Sequence, residues 1–183
     1  MKYYKVLRDG KSCNGGIYEW SLPTKNANGT WTPGEWTKPI EGELVACENG
    51  YHLADETQLV RWLDKDIYEA EGEEMLLAPD DGTKWVCRRA RLLRKVETWD
   101  NRTARLFAVW CARETLKLVD NPDPRSVNAC DVAERYANGE ATDEELAAAS
   151  AAAGDAAWDA ARDAARAAAW DAQSKKLIEM LGE

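Results

Sequence analysis

The spacing of apolar positions changes once along the chain, near residue 98. Before that point apolar residues alternate or cluster in short runs broken by Gly, Pro and Asn; after it they recur every three or four residues. In the first part, Lys2 to Leu7 reads as a strand ended by the turn dipeptide Asp9-Gly10, and Ile17 to Leu22 as a second strand closed by Pro23. Thr24 to Pro39 holds Asn26, Asn28, Gly29, Pro33 and Gly34, the composition of a loop or a long-tipped hairpin. Leu44 to Cys47 reads as a short strand before the turn Glu48-Asn49-Gly50. Asp55 then caps a helix carrying Leu59, Val60, Trp62 and Leu63. Ile67 to Glu71 alternates again, Asp80-Asp81-Gly82 is a turn, and Lys84 to Val96 is the longest strand candidate.

The second part is helical throughout. Asp100 caps a helix from about Arg102 to Val119, stopped by Asn121-Pro122. Asp123-Pro124 opens a second helix, which Asn138-Gly139 ends with a left-handed residue. Thr142 and Glu145 form a capping box for a third, which the pattern extends almost to the C-terminus. The expected class is therefore α+β: a small, mainly antiparallel β domain with one helix over residues 1–98, then an all-α three-helix domain over 99–183 ending in a long Ala-rich helix.

That last helix carries a pattern of its own. Sixteen of the 26 residues from Ala147 to Ala172 are alanine, yet Asp155, Asp159, Arg162, Asp163 and Arg166 share one face. Trp158 and Trp170 lie four residues from Arg162 and Arg166, within cation–π reach. The opposite face, around Ala153, Ala157, Ala161, Ala164 and Ala168, permits a close helix crossing. A solvated face with a tight hairpin against the first helix competes with a docking face made of Trp158, Arg162, Arg166, Trp170, Asp159 and Asp163. Trp and Arg are the residues enriched where binding energy concentrates.

Composition narrows the function. The 183 residues carry 33 acidic and 24 basic side chains, a net charge of -9, and residues 99–183 hold -6 of it. This balance argues against general nucleic-acid binding and suits a basic partner. No apolar run approaches the roughly 20 residues of a membrane span. Met1 to Val6 lacks a secretory segment, and the five cysteines form no C-x-x-C pair, so free thiols in a bacterial cytoplasm are expected. No G-x-S-x-G, phosphate-binding loop, G-x-G-x-x-G or H-E-x-x-H occurs, which leaves the enzyme reading weak and implies no cofactor.

Two stretches resemble known families. Ser12-Cys13, the run Glu43 to Leu53 with Cys47-Glu48-Asn49-Gly50-Tyr51-His52 at its centre, Trp62, Ile67 to Glu71 and Lys84 resemble an uncharacterised domain of bacteria and tailed phages. There a C-x-N-G-[FY]-H element sits between a strand and a helix; Ala54 stands where members often carry a second cysteine. This resemblance implies a fold and little chemistry. Trp99 to Ala108, Val132 to Thr142 and the Ala/Trp/Arg tail resemble the helical immunity-protein-like domain of polymorphic toxin systems. That resemblance implies binding and neutralisation of a partner protein, here a toxin or a defence-system component, encoded by host or phage. A homo-oligomer stays open.

Two further groupings compete with bland readings. Cys13, Cys47, His52 and Cys87 have the donor types of a zinc site, against a histidine that simply bonds a backbone group. Lys84, Arg88, Arg89, Arg91, Arg94 and Lys95 form a basic run with no acid between them. With Trp31, Trp36 or Trp85, the arginines Arg88, Arg89 and Arg91 would hold a nucleotide-like small molecule, the signature of a sponge for an immune signal. Strand alternation places Arg88 and Arg94 on one face and Arg89, Arg91 and Lys95 on the other, so Arg91 to Arg94 form one patch only if the strand bulges. The competing reading pairs the run with Glu69, Glu71, Glu73 and Glu74 on an adjacent strand.

Overall fold

The computed structural model describes residues 1–13, 16–78, 82–157 and 166–182; the side chains of 154–157 and 166–171 fall outside the description. It divides into two compact units, Met1–Glu97 and Thr98–Glu183, and its class is α+β.

In the first unit an antiparallel sheet is built around β1 (Tyr3–Arg8). Its other strands are β2 (Lys11–Ser12), β5 (Tyr51–Asp55), β6 (Asp66–Glu73), β7 (Leu76–Leu77), β8 (Trp85–Cys87) and β9 (Arg89–Lys95), in the order β7-β8-β5-β1-β6-β9 with β2 also on β1. A hairpin of β3 (Thr24–Lys25) and β4 (Trp31–Thr32) stands apart from this sheet. β5 and β6 both run antiparallel to β1 from opposite sides, so they are parallel to each other and need a crossover connection. Leu7, Trp20, Leu53, Tyr68, Ala70, Cys87, Ala90 and Leu92 form the core on one face. Tyr4, Val6, Ala54, Ile67 and Val86, also buried, belong to the alternate positions and point to the other.

Several expected elements differ. Ile17 to Leu22 is not a strand: only Glu19 bridges to Lys11, and Ile17, Tyr18 and Leu22 are exposed, leaving Trp20 as the one buried anchor of that run. Leu44 to Cys47 is a tight reversal closed by a Val45–Asn49 bridge. Asn49 Nδ2 donates to the carbonyls of Glu41 (2.9 Å) and Glu43 (2.7 Å), and Cys47 adopts φ +67°. The residues after Gly50 form β5. The helix expected after Asp55 shrinks to a single 3-10 turn, Leu59–Arg61, although Asp55 does accept from the Thr57 and Gln58 N–H groups. The long strand from Lys84 breaks at Arg88 into β8 and β9. The open edge of β9 is covered by residues 34–40, whose Gly34, Thr37 and Ile40 N–H groups donate to Leu92, Ala90 and Arg88.

The second unit holds α1 (Asn101–Leu116), α2 (Pro124–Ala137), α3 (Asp143–Ala157) and α4 (Arg166–Leu181). Its ends follow the expected chemistry. Asp100 accepts from Thr103 N–H at 2.7 Å, and Thr142 and Glu145 satisfy each other's N–H groups at 2.8 and 3.2 Å. Each such cap contributes about 1 kcal/mol. Gly139 at φ +76° closes α2 while Glu140 N–H reaches back to Arg135. Arg113 spans α1 and α2 through Asp131 and Glu134; α4 packs on α1 and α3 on α2. α3 and α4 flank residues 158–165, so the continuity of the expected terminal helix lies outside the described residues. No helix among the described residues is long and apolar enough to cross a membrane.

Candidate ligand-binding cavity

The cavity of the first unit originates in an interruption of the sheet. β6 pairs with β1 continuously from Tyr3 to Leu7. On the other side of β1, β5 takes Tyr3 and Tyr4 while β2 takes Leu7 and Arg8, so Lys5 and Val6 have no strand partner there. Side chains supply the missing donors: Lys5 Nζ donates to the His52 carbonyl at 3.1 Å, and the Cys13 thiol donates to the Val6 carbonyl at 3.3 Å. Around this gap opens a cavity of about 560 Å³, lined by β1, β5, the segment 16–20, Trp62 and Lys84. Its size falls within the roughly 300–1,000 Å³ of small-ligand sites.

One wall is aromatic. Tyr18, Trp20 and Tyr51 pack edge-to-face as a triad, with centroids 5.2–5.8 Å apart, and Trp20 Nε1 donates to Ser12 Oγ at 2.9 Å. Tyr18 is 41% exposed and so presents part of its ring to the opening. The floor depends on Gly50, whose φ is +153°. A Cβ there would lie 2.3 Å from Val86 Cγ1, so this turn accepts no larger residue without displacing β8.

Two lysines and one glutamate line the cavity. Lys5 Nζ sits 5.1 Å from the centroid of Trp20, and Lys84 Nζ sits 5.3 Å from that of Trp62. Neither ammonium meets a carboxylate among the described residues; Glu48 is the single acidic residue of the lining. Burial, against weaker opposing effects of Cys13 and Cys87, brings the Lys5 amine down to about 8. Burial and the charges of Lys5 and Lys84 push His52 down to about 4, so the imidazole is neutral at physiological pH. Its Nε2 accepts from Cys47 N–H at 3.0 Å, which leaves the ring proton on Nδ1 as a free donor.

Cys13, Cys47, His52 and Cys87, weighed as zinc donors against a histidine bonding a backbone group, do not converge. His52 Nε2 is occupied by the Cys47 backbone, the Cys87 thiol is buried, donates to the Tyr51 carbonyl at 3.2 Å and is raised by burial to about 12. No three His, Cys, Asp or Glu residues converge among the described residues.

The basic run, Lys84 apart, is neutralised. The β6–β9 register shifts between Glu69 and Ala70, which leaves Leu93 as an extra residue and returns Arg94 to the face of Arg89 and Arg91. This overturns the simple alternation. Arg89 meets Glu73 through two bonds (2.8 and 3.0 Å), Arg91 meets Glu71 and Arg94 meets Glu69 (both 2.5 Å), while Arg88 turns to Glu74 at 2.6 Å. Of the tryptophans expected beside them, Trp36 alone is there, 4.7 and 4.8 Å from the guanidinium carbons of Arg89 and Arg91. Trp31 lies under Lys25. Trp85 stacks edge-on with Tyr3 and donates to Asp55 at 3.0 Å. Burial opposes ionisation of Asp55, but the bonds from Trp85, Thr57 and Gln58 outweigh it and hold the carboxyl below its ordinary range.

On the alanine-rich face, Trp158, Asp159, Arg162 and Asp163 lie outside the described residues, as do the side chains of Arg166 and Trp170. Sequence reasoning passed over Lys5, Tyr18 and Tyr51 as site residues. A signal existed for Lys5: it sits between Tyr3 and Leu7 on a strand face whose other positions are apolar. Comparison with protein-family models, with curated proteins and with solved structures gives no match for this chain.

Proposed function

We propose that the first unit captures a small anionic molecule with a planar ring, of the nucleotide-derived class, in the cavity between β1 and β5. The observation that carries this reading is the pair of lysines: in a chain of net charge -9, Lys5 and Lys84 line one cavity with indole rings beneath them and, among the described residues, no carboxylate against them. Such ammoniums complement phosphate oxygens, the His52 Nδ1–H adds a neutral donor, and Tyr18 offers a stacking surface for a base. Stoichiometric capture without turnover, inside a bacterial cell, fits a protein that sequesters a signal. The neutralisation of a partner protein through the Trp158–Trp170 face is a separate proposal, for which the described residues supply no observation. A thermal-shift screen with cyclic dinucleotides, ADP and ADP-ribose tests the capture reading. A concentration-dependent rise in Tm with at least one of them is expected; a flat response to all of them removes the proposal.

A further inference from the structure

We infer that Lys5 is a carbonyl-capturing amine, condensing reversibly with an aldehyde on an anionic ligand held in the cavity. The inference rests on the cavity being a ligand site, and it adds a covalent step to it. Six other lysines, Lys11, Lys25, Lys65, Lys95, Lys117 and Lys176, hold carboxylates. Lys5 instead donates to a neutral carbonyl, that of His52, and leans on the face of Trp20, in a gap where β1 lacks a strand partner. Among the described residues nothing anionic fixes its charge, and Lys5 lines the cavity that a ligand would enter.

The chemistry follows from that setting. A lysine desolvated beside apolar and aromatic groups keeps part of its population as free amine near neutral pH, on the order of a tenth here, where an exposed lysine keeps about a thousandth or less. The Nζ lone pair adds to the carbonyl carbon and the C=O π pair moves to oxygen, which takes up the proton that nitrogen loses. The resulting carbinolamine expels its hydroxyl with a proton as water, leaving a C=N bond. Hydrolysis reverses each step, so no oxidant or reductant is consumed. Lys84, on the aromatic ring of Trp62, supplies the charge that holds the ligand's phosphate while the bond forms.

Pyridoxal 5′-phosphate, an aromatic aldehyde bearing a phosphate, is a suitable probe. The intact protein is incubated with it at neutral pH, reduced with borohydride, and mapped for the lysine carrying the pyridoxyl group, with and without excess ADP. Lys5 is expected to be labelled at least about tenfold faster than the mean of the other ten lysines. Excess ADP is expected to suppress that label, and Lys5→Arg to remove it. Labelling spread evenly over the lysines overturns the inference. If ADP binds and Lys5 stays unlabelled, the imine is wrong and the capture reading stands. If Lys5 is labelled fast but ADP neither binds nor protects, the imine stands and the capture of nucleotides falls.

Discussion

Arg89, Arg91 and Arg94 each meet a glutamate across the β6–β9 pair, whereas Lys5 and Lys84 lean on indole rings with no carboxylate against them among the described residues. Both groups belong to one domain and both are cationic, but their surroundings assign them different work. The arginines complete a cross-strand ladder, with Trp36 laid over two of them, and their charge is spent inside the protein. The lysines meet indole faces instead. Five members of the basic run thus form a structural seam, while its first member, Lys84, joins the distant Lys5 in the lining of the proposed site.

Four changes test that contrast, in decreasing order of effect. Gly50→Ala forces a Cβ against Val86 at a φ that L-residues rarely adopt, and is expected to cost about 2–4 kcal/mol, read as a drop in chemical-denaturation midpoint. If stability is unchanged, the floor of the cavity is not as tight as described. Lys84→Ala removes an unneutralised charge from the cavity and is expected to weaken nucleotide binding by tenfold to a hundredfold, about 1.4–2.7 kcal/mol, with little effect on Tm. Arg91→Ala should do the converse: up to about 1 kcal/mol of stability lost, since the Arg91–Glu71 pair is partly exposed, with ligand affinity unaltered. A large loss of affinity from Arg91→Ala would restore the ladder as a binding site.

The smallest effect is spectroscopic. His52 is the only histidine, so its imidazole gives a single pair of ring C–H NMR resonances, expected to titrate near 4. Because this pKa is depressed on folding, the unfolded chain binds the additional proton between about pH 6.5 and 4. Stability therefore falls as pH drops through that window, and His52→Gln should flatten that part of the curve. A midpoint near 6.5 would place the ring in open solvent instead.

How much of this was legible beforehand depends on how local the causes are. The helices of the second unit were readable because their signals sit within a few residues of the ends they determine: Asp100, Asp123-Pro124, Gly139, and Thr142 with Glu145. β1 and β6 were readable from alternation. β5 was not, because Asn49-Gly50 and Asp55 mark turns at both ends of a five-residue run whose extended state comes from pairing with β1 and β8. The break at Arg88 and the extra residue Leu93 likewise depend on distant groups, the carbonyls of Ile40 and Gly42 and the register of β6. At the site, the glutamates opposite the arginines were visible as a possible pairing, and the cavity was not. Lys5, His52 and Lys84 converge only where β1 changes partners, and no spacing in the sequence records that event.

The most direct measurement is calorimetric titration of the nucleotide giving the largest thermal shift into three proteins: wild type, Lys84→Ala and Arg91→Ala. The predicted result is saturable one-to-one binding, weakened at least about tenfold by Lys84→Ala and unchanged by Arg91→Ala. Equal affinity in wild type and Lys84→Ala, or a loss confined to Arg91→Ala, contradicts the assignment of the cavity as the binding site.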